Sequence, residues 1–143
     1  MAKTNIYLNF QGNTEEAFNF YKDVFNPDFK MHIMYNRDAP TQEGSAPLTE
    51  EEKGKVMHTH LPILGDTILY GTDMLESRGH VLRIGNNFTI SLEPDTKEEA
   101  DRLYHLLSQG GTDCVPPHDE FWGYWGVCLD RFGIRWMFNL MNP

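Results

Sequence analysis

The sequence predicts an α+β fold made of two βαβββ modules. Two observations carry that prediction. Segments 5–11 and 87–92 each alternate apolar and polar residues, and each leads through a turn into an amphipathic helical stretch. The two helix starts can also be laid on one another. Glu15-Glu16-Ala17 followed by Phe20-Tyr21 matches Glu98-Glu99-Ala100 followed by Leu103-Tyr104. One such match is common among amphipathic helices; a matched strand, turn, cap and helix in both halves points to duplication.

Each element follows from local pattern. The first strand ends at Gly12-Asn13, and Asn13-Thr14-Glu15-Glu16 reads as a capping box with glutamate at its fourth position. Ala17, Phe18, Phe20, Tyr21, Val24 and Phe25 then recur at helical spacing until Asn26-Pro27 ends the helix. In the second half Pro94-Asp95 turns, and Thr96-Lys97-Glu98-Glu99 is a second capping box. Ala100, Leu103, Tyr104, Leu106 and Leu107 form its apolar stripe, and Gly110-Gly111 ends it. Segments 29–35, 55–62 and 67–71 read as strands after the first helix. Segments 112–116, 124–129 and 134–140 read so after the second. The modules therefore span about residues 4–75 and 84–141 of a single domain, 1–143. Residues 36–54 form a long loop containing Pro40 and Pro47, with a possible helical turn at Thr49-Glu50-Glu51-Glu52. A loop of that length either covers a pocket or is mobile. A half-sheet with its helix on one face leaves the other face open, to be buried against the second half or a second chain. The expected form is thus a cupped mixed β-sheet with helices outside, enclosing a cavity, in a homodimer.

Composition narrows the function classes. At 143 residues one domain can bury roughly 70% of its unfolded surface, so a true core is available. The net charge of −9 argues against a general nucleic-acid binder or an anionic membrane surface as partner. No run approaches 18 consecutive apolar residues, and the first residues lack the apolar centre of a signal peptide, so a cytoplasmic protein is expected. Cys114 and Cys128 lie outside any CxxC pattern and are expected as buried free thiols.

The C-terminal run is the most specific feature. Phe121-Trp122-Gly123, Tyr124, Gly126, Asp130, Phe132-Gly133 and Trp136 resemble the FWG…G…D-x-FG-x-x-W signature of PhnB-like proteins in the glyoxalase/bleomycin resistance/dioxygenase (vicinal oxygen chelate) superfamily. Residues 7–17, Met57-His58, Gly65-Asp66 and Asp73 resemble that family's first strand, first helix and central segment, so the likeness covers nearly the whole chain. The resemblance implies a paired βαβββ fold, usually a homodimer. In catalytic relatives it implies a cup that holds one divalent metal through His and Glu side chains from both modules. Such an ion, Zn, Ni, Mn or Fe, would polarise a carbonyl or steady an oxyanion. Some relatives carry a name meaning demethylubiquinone methyltransferase; this sequence has no Gly-rich strand-to-helix loop of the kind a Rossmann-like methyltransferase needs.

Placed on the family's ligand positions, the chain offers Ile6 or Tyr7, then His58, then a position near Asn87, then Met137. Of these His58 is the one good metal ligand. His60 lies two residues on and faces the same side of the strand, so His58 and His60 form either half of a metal site or a pair of hydrogen-bonded pocket histidines. His32, His80 and His105 read as isolated surface or structural residues, and His118 as part of an exposed acidic turn with Asp119 and Glu120. Phe121, Trp122, Tyr124 and Trp125, spaced by Gly123 and Gly126, form either a stacking wall for a flat ligand or packing for a core or dimer interface. The leading expectation is a small-molecule pocket lined by Tyr7, Asn9, His58, His60, Trp122 and Trp125. The alternatives are a divalent-metal lyase, isomerase or dioxygenase of glyoxalase type, and a drug-sequestering resistance protein whose acidic surface suits cationic drugs.

Overall fold

The first alternating segment forms a strand with one side chain row under a helix and the other left open. In the computed structural model, which describes residues 1–41 and 43–143, the chain divides into two compact units, residues 1–83 and 84–143. The first unit contains β1 (Ile6–Phe10), α1 (Thr14–Phe25), β2 (Ile33–Tyr35), the short helix α2 (Glu50–Lys53), β3 (Val56–Pro62) and β4 (Ile68–Asp73). Its strands make one mixed sheet in the order β1-β4-β3-β2, with β1 parallel to β4 and the other pairs antiparallel. The second unit contains β5 (Ile90–Leu92), α3 (Lys97–Leu107), β6 (Thr112–Glu120), β7 (Gly123–Leu129) and β8 (Arg135–Met141). Its sheet has the same plan, β5-β8-β7-β6, again with the first pair parallel. The duplication read from the two helix starts is therefore present in strand order and polarity. Ala17 and Ala100, the matched alanines, are both fully buried.

Helix α1 packs on β3 and β4, burying Ala17, Phe18, Tyr21 and Val24. Phe18 lies so close to Gly71 that a Cβ there would come within 2.4 Å of its ring. The helix start differs from the expected capping box. Asn13 makes no side-chain cap. The Asp73 carboxylate at the end of β4 replaces it, accepting from Gly12 N at 2.8 Å, Thr14 N at 3.1 Å and Thr14 Oγ1 at 2.6 Å. Its other oxygen accepts from Val56 N at 2.8 Å. A buried carboxylate can satisfy more helix N-terminal donors than an Asn side chain can, so the tertiary cap prevails. The Thr96 cap of α3 is present, with Oγ1 accepting from Glu99 N at 3.1 Å, but the Glu99 carboxylate turns to Arg102 at 2.7 Å. The full reciprocal box forms at Thr49 and Glu52, at the start of α2.

Strand boundaries also move, most of all at three places. Residues 29–32 are not strand: Phe29 N bonds back to Asn26 O at 3.1 Å, so the turn at Asn26-Pro27 delays pairing until Ile33. Residues 87–89 precede β5 as bends and coil. Residues 118–120, expected as an exposed acidic turn, are instead strand in β6. Pro116 and Pro117 are tolerated because β6 is an edge strand whose register shifts twice against β7. Gly126 of β7 lies under that irregular stretch, where a Cβ would meet Pro117 N at 2.7 Å.

The tail signature is explained by the turn before β8. Buried Asp130 accepts from Phe132 N at 2.8 Å and Ile134 N at 3.0 Å through one oxygen, and from Trp136 Nε1 at 2.8 Å through the other. Gly133 adopts φ +88, the left-handed conformation that favours glycine. The D-x-F-G-x-x-W spacing is thus a turn and core device. Cys128 is buried as expected, whereas Cys114 is exposed on edge strand β6, and both are free thiols.

Candidate functional site

In the first unit, strand alternation sorts the sheet residues into two rows. Leu8, Phe10, Thr59, Leu61, Leu69 and Gly71 are buried on the α1 side. Tyr7, Asn9, His58, His60, Tyr70 and Thr72 occupy the opposite, open face. Register brings them side by side: Tyr7 opposes Tyr70, Tyr70 opposes His60, and Asn9 opposes Thr72.

The phenol of Tyr7 lies 2.9 Å from His58 Nδ1. Partial burial pushes the Tyr7 pKa up, which favours the protonated phenol as a hydrogen-bond partner of the ring. That contact orients the ring and leaves Nε2 for a bound group. Tyr70 stands at the centre of the cluster. Its ring stacks on Tyr7 at 5.7 Å and lies 5.5 Å from His58 and 6.2 Å from His60. Phe29 closes the far side of His60, edge-on at 5.6 Å. Tyr7, Asn9, His58 and His60 are therefore neighbours on one open face. Tyr70 and Phe29 were not singled out from sequence, although the alternation of residues 68–72 puts Tyr70 on the row of Thr72.

The donors on this face decide whether a divalent metal fits. They are two imidazoles, one already engaged by Tyr7, with no carboxylate beside them among the described residues. Among the described residues no group of three His, Cys, Asp or Glu side chains converges in a way that could hold an ion. Catalytic zinc sites use three protein ligands, so the residues here do not fit a resident metal.

Trp122 and Trp125 meet in the second unit, ring centroids 6.4 Å apart, with Trp122 Nε1 donating to Asn139 Oδ1 at 3.3 Å. Phe121 packs edge-on to Trp122 at 4.8 Å while remaining 89% exposed. His118 lies edge-on to Trp125. Its Nδ1 meets Pro116 O at 2.9 Å and its Nε2 meets Glu120 Oε1 at 2.8 Å. Two acceptors on two nitrogens favour the imidazolium: the Pro116 carbonyl first, then Glu120, raise the His118 pKa. Tyr124 points to the α3 side and donates to Asp101 at 2.7 Å, which with burial pushes its pKa up to about 12. It does not join the tryptophans. The glycines in this run make room for backbone: a Cβ at Gly123 would meet Leu140 O at 2.1 Å.

The first unit also holds a cavity of about 800 Å³, within the range of small-molecule sites. Its walls come from residues 36–37, 39–41 and 45–48, from Lys53, Met57, Thr72 and Asp73, and from the segment Leu75, Arg78 and His80. Thr72 belongs to the same sheet row as Tyr70, so the cavity begins one step along β4 from the Tyr7–His58 cluster. Parts of the loop at 36–54 thus line a pocket, and His80 lies in its wall. Sequence alone marked neither Arg37 nor Arg78, because pocket-lining arginines in loops follow no periodic pattern. Glu52 fixes the two sides of this region together, accepting from Thr49 N at 3.1 Å and Ser77 N at 3.2 Å. Those bonds hold its pKa down at about 2, the Thr49 amide being the largest cause.

With this geometry established, comparison with known proteins is direct. A family model described as 3-demethylubiquinone-9 3-methyltransferase matches residues 2–138, and the chain belongs to that family. The solved protein PA1353 from Pseudomonas aeruginosa is 29% identical, with full coverage of both chains and a TM-score of 0.81. The PhnB protein from Bacillus cereus is 24% identical over 97% of this chain and 99% of its own, with a TM-score of 0.69. A glyoxylase/bleomycin resistance protein/dioxygenase domain from Frankia sp. EAN1pec shares the fold at 11% identity, covering 99% and 98%, with a TM-score of 0.64. No curated protein matches the chain. The resemblance carried by the tail motif is upheld: this is a PhnB-like protein with the glyoxalase-superfamily fold.

Proposed function

We propose that this member of the 3-demethylubiquinone-9 3-methyltransferase family binds a small organic molecule in its first unit, in the cavity that begins at Thr72 and against the adjoining polar face of Tyr7, His58 and His60. The observation that carries this is the Tyr7 hydroxyl against His58 Nδ1, which orients an imidazole and leaves its Nε2 for a ligand. Asn9, beside Thr72, adds an amide donor and acceptor to the same face. Tyr70, stacked on Tyr7, gives a flat apolar surface next to them. Trp122 and Trp125 form a second aromatic surface that we assign to ligand contact in the second unit. Neither sheet is the doubly wound parallel arrangement whose switch point receives a nucleotide-like cofactor, so the family name is no guide to the chemistry. The same reading gives a cytoplasmic homodimer without nucleic-acid or membrane partners; the net charge of −9 supports the last two points, and no helix among the described residues is long and apolar enough to cross a membrane.

The test is a thermal-shift screen of small organic molecules against the full chain, with the hits repeated on Tyr7→Phe and His58→Ala. Binding that weakens in both variants supports the reading. Hits that bind both variants as tightly as the parent protein would sink it. Elemental analysis after exposure to Ni, Zn, Mn and Fe runs alongside. One tightly held ion per chain, lost in His58→Ala, would replace this reading with the metal-dependent one.

A further inference from the structure

From the charges around the cavity we infer that its ligand is an organic anion, a carboxylate, phosphate or phosphonate on an apolar body. This rests on the reading that the first unit binds a small molecule, and adds the charge of that molecule. The protein as a whole is acidic, with 21 Asp and Glu against 12 Lys and Arg, yet three basic side chains, Arg37, Lys53 and Arg78, line this one cavity. The single carboxylate in the described lining is Asp73, and it is already consumed by four donors from Gly12, Thr14 and Val56. Lys53 is paired with Glu50 at 2.7 Å. Arg37 lies over the Tyr35 ring at 4.6 Å, and among the described residues neither Arg37 nor Arg78 has a carboxylate partner. Two guanidiniums that line one cavity and have no carboxylate partner among the described residues are suited to a planar or tetrahedral anion, which they can grip through paired N–H groups.

His80 adds a neutral donor. Leu75 N donates to its Nδ1 at 3.0 Å, which puts the ring proton on Nε2. Arg78 and His80 lie on one short segment, and Glu52 anchors that segment by accepting from Ser77 N at 3.2 Å. The donors are thus held in place before a ligand arrives, which lowers the ordering cost of binding. Ala39, Pro40, Ala46, Pro47, Leu48 and Leu75 supply the apolar wall for the rest of the molecule. A cationic drug would meet like charge here, which counts against the drug-sequestering reading for this cavity.

The experiment uses two fluorescent probes on the full chain: 1-anilinonaphthalene-8-sulfonate and N-phenyl-1-naphthylamine, the same aromatic body without the charge. Arg78→Gln and Arg37→Gln are each expected to weaken the sulfonate by about tenfold, as loss of a charge-assisted contact does. Both should leave the neutral probe unchanged, and Lys3→Gln should change neither. Added sodium chloride should weaken the sulfonate alone. Displacement of the sulfonate by 2-naphthoate or 1-naphthyl phosphate supports the inference and distinguishes a carboxylate from a phosphate head group; displacement by neither overturns it. If both probes bind equally and the two arginine variants alter neither, the anion inference falls while small-molecule binding survives. If neither probe binds, both readings fall together.

Discussion

Asp73 Oδ1 accepts the hydroxyl of Thr14 at 2.6 Å, so helix α1 is capped by a residue 59 positions further along the chain. The same carboxylate binds Val56 N and so ties the helix start, β3 and β4 at one buried point. Asp73→Ala leaves at least three buried donors without partners. We expect a loss of about 3 kcal/mol in urea unfolding, with a smaller loss in Asp73→Asn, which keeps one acceptor. Loss of under 0.5 kcal/mol for the alanine variant would show that water replaces the cap.

The acid limb of stability should carry a mark of Glu52. Its folded pKa of about 2 lies below the ordinary 4.5, so its contribution is present above pH 4.5 and disappears as pH falls towards 2. Glu52→Gln should therefore lose stability near neutral pH and show a flatter dependence between those values. Parallel curves for the two proteins over that window would contradict the bonds to Thr49 and Ser77.

His118 has the opposite sign. Its pKa is raised above 6.5 by the Pro116 carbonyl and then by Glu120, so its contribution is complete below pH 6.5 and fades as pH rises through the folded value. Proton NMR titration should find His118 above 6.5, and Glu120→Gln should bring it down. An unshifted His118 in the parent protein would remove the pairing.

Thiol reagents should separate the cysteines. Cys114 is exposed, while burial above all pushes the Cys128 thiol up to about 12. The folded protein should react with Ellman's reagent at one thiol per chain, and the unfolded protein at two. Rapid reaction of both in the folded state would contradict the burial of Cys128.

Gly126 tests the reading of the aromatic run. A Cβ there meets the β6 backbone at Pro117, so Gly126→Ala should cost about 1–3 kcal/mol by forcing strand β6 away. An unchanged unfolding midpoint would return this glycine to a ligand-contact role.

Sequence by itself determined the two βαβββ modules, the apolar stripes of the two helices and the shared strand face of His58 and His60. These follow from periods of 2 and 3.6 in side-chain direction, which are local properties of the chain. It also located the tail signature, though not its purpose. Only the tertiary structure decided that Asp130 is consumed by its own turn and by Trp136, and that Asp73 replaces Asn13 as the α1 cap. It likewise decided that Tyr7 orients His58 and that Arg37, Arg78 and His80 share one cavity. Each of those facts joins residues far apart in the chain or placed by irregular loops. Hydrogen bonds and charges there are set by three-dimensional proximity, which no periodicity encodes.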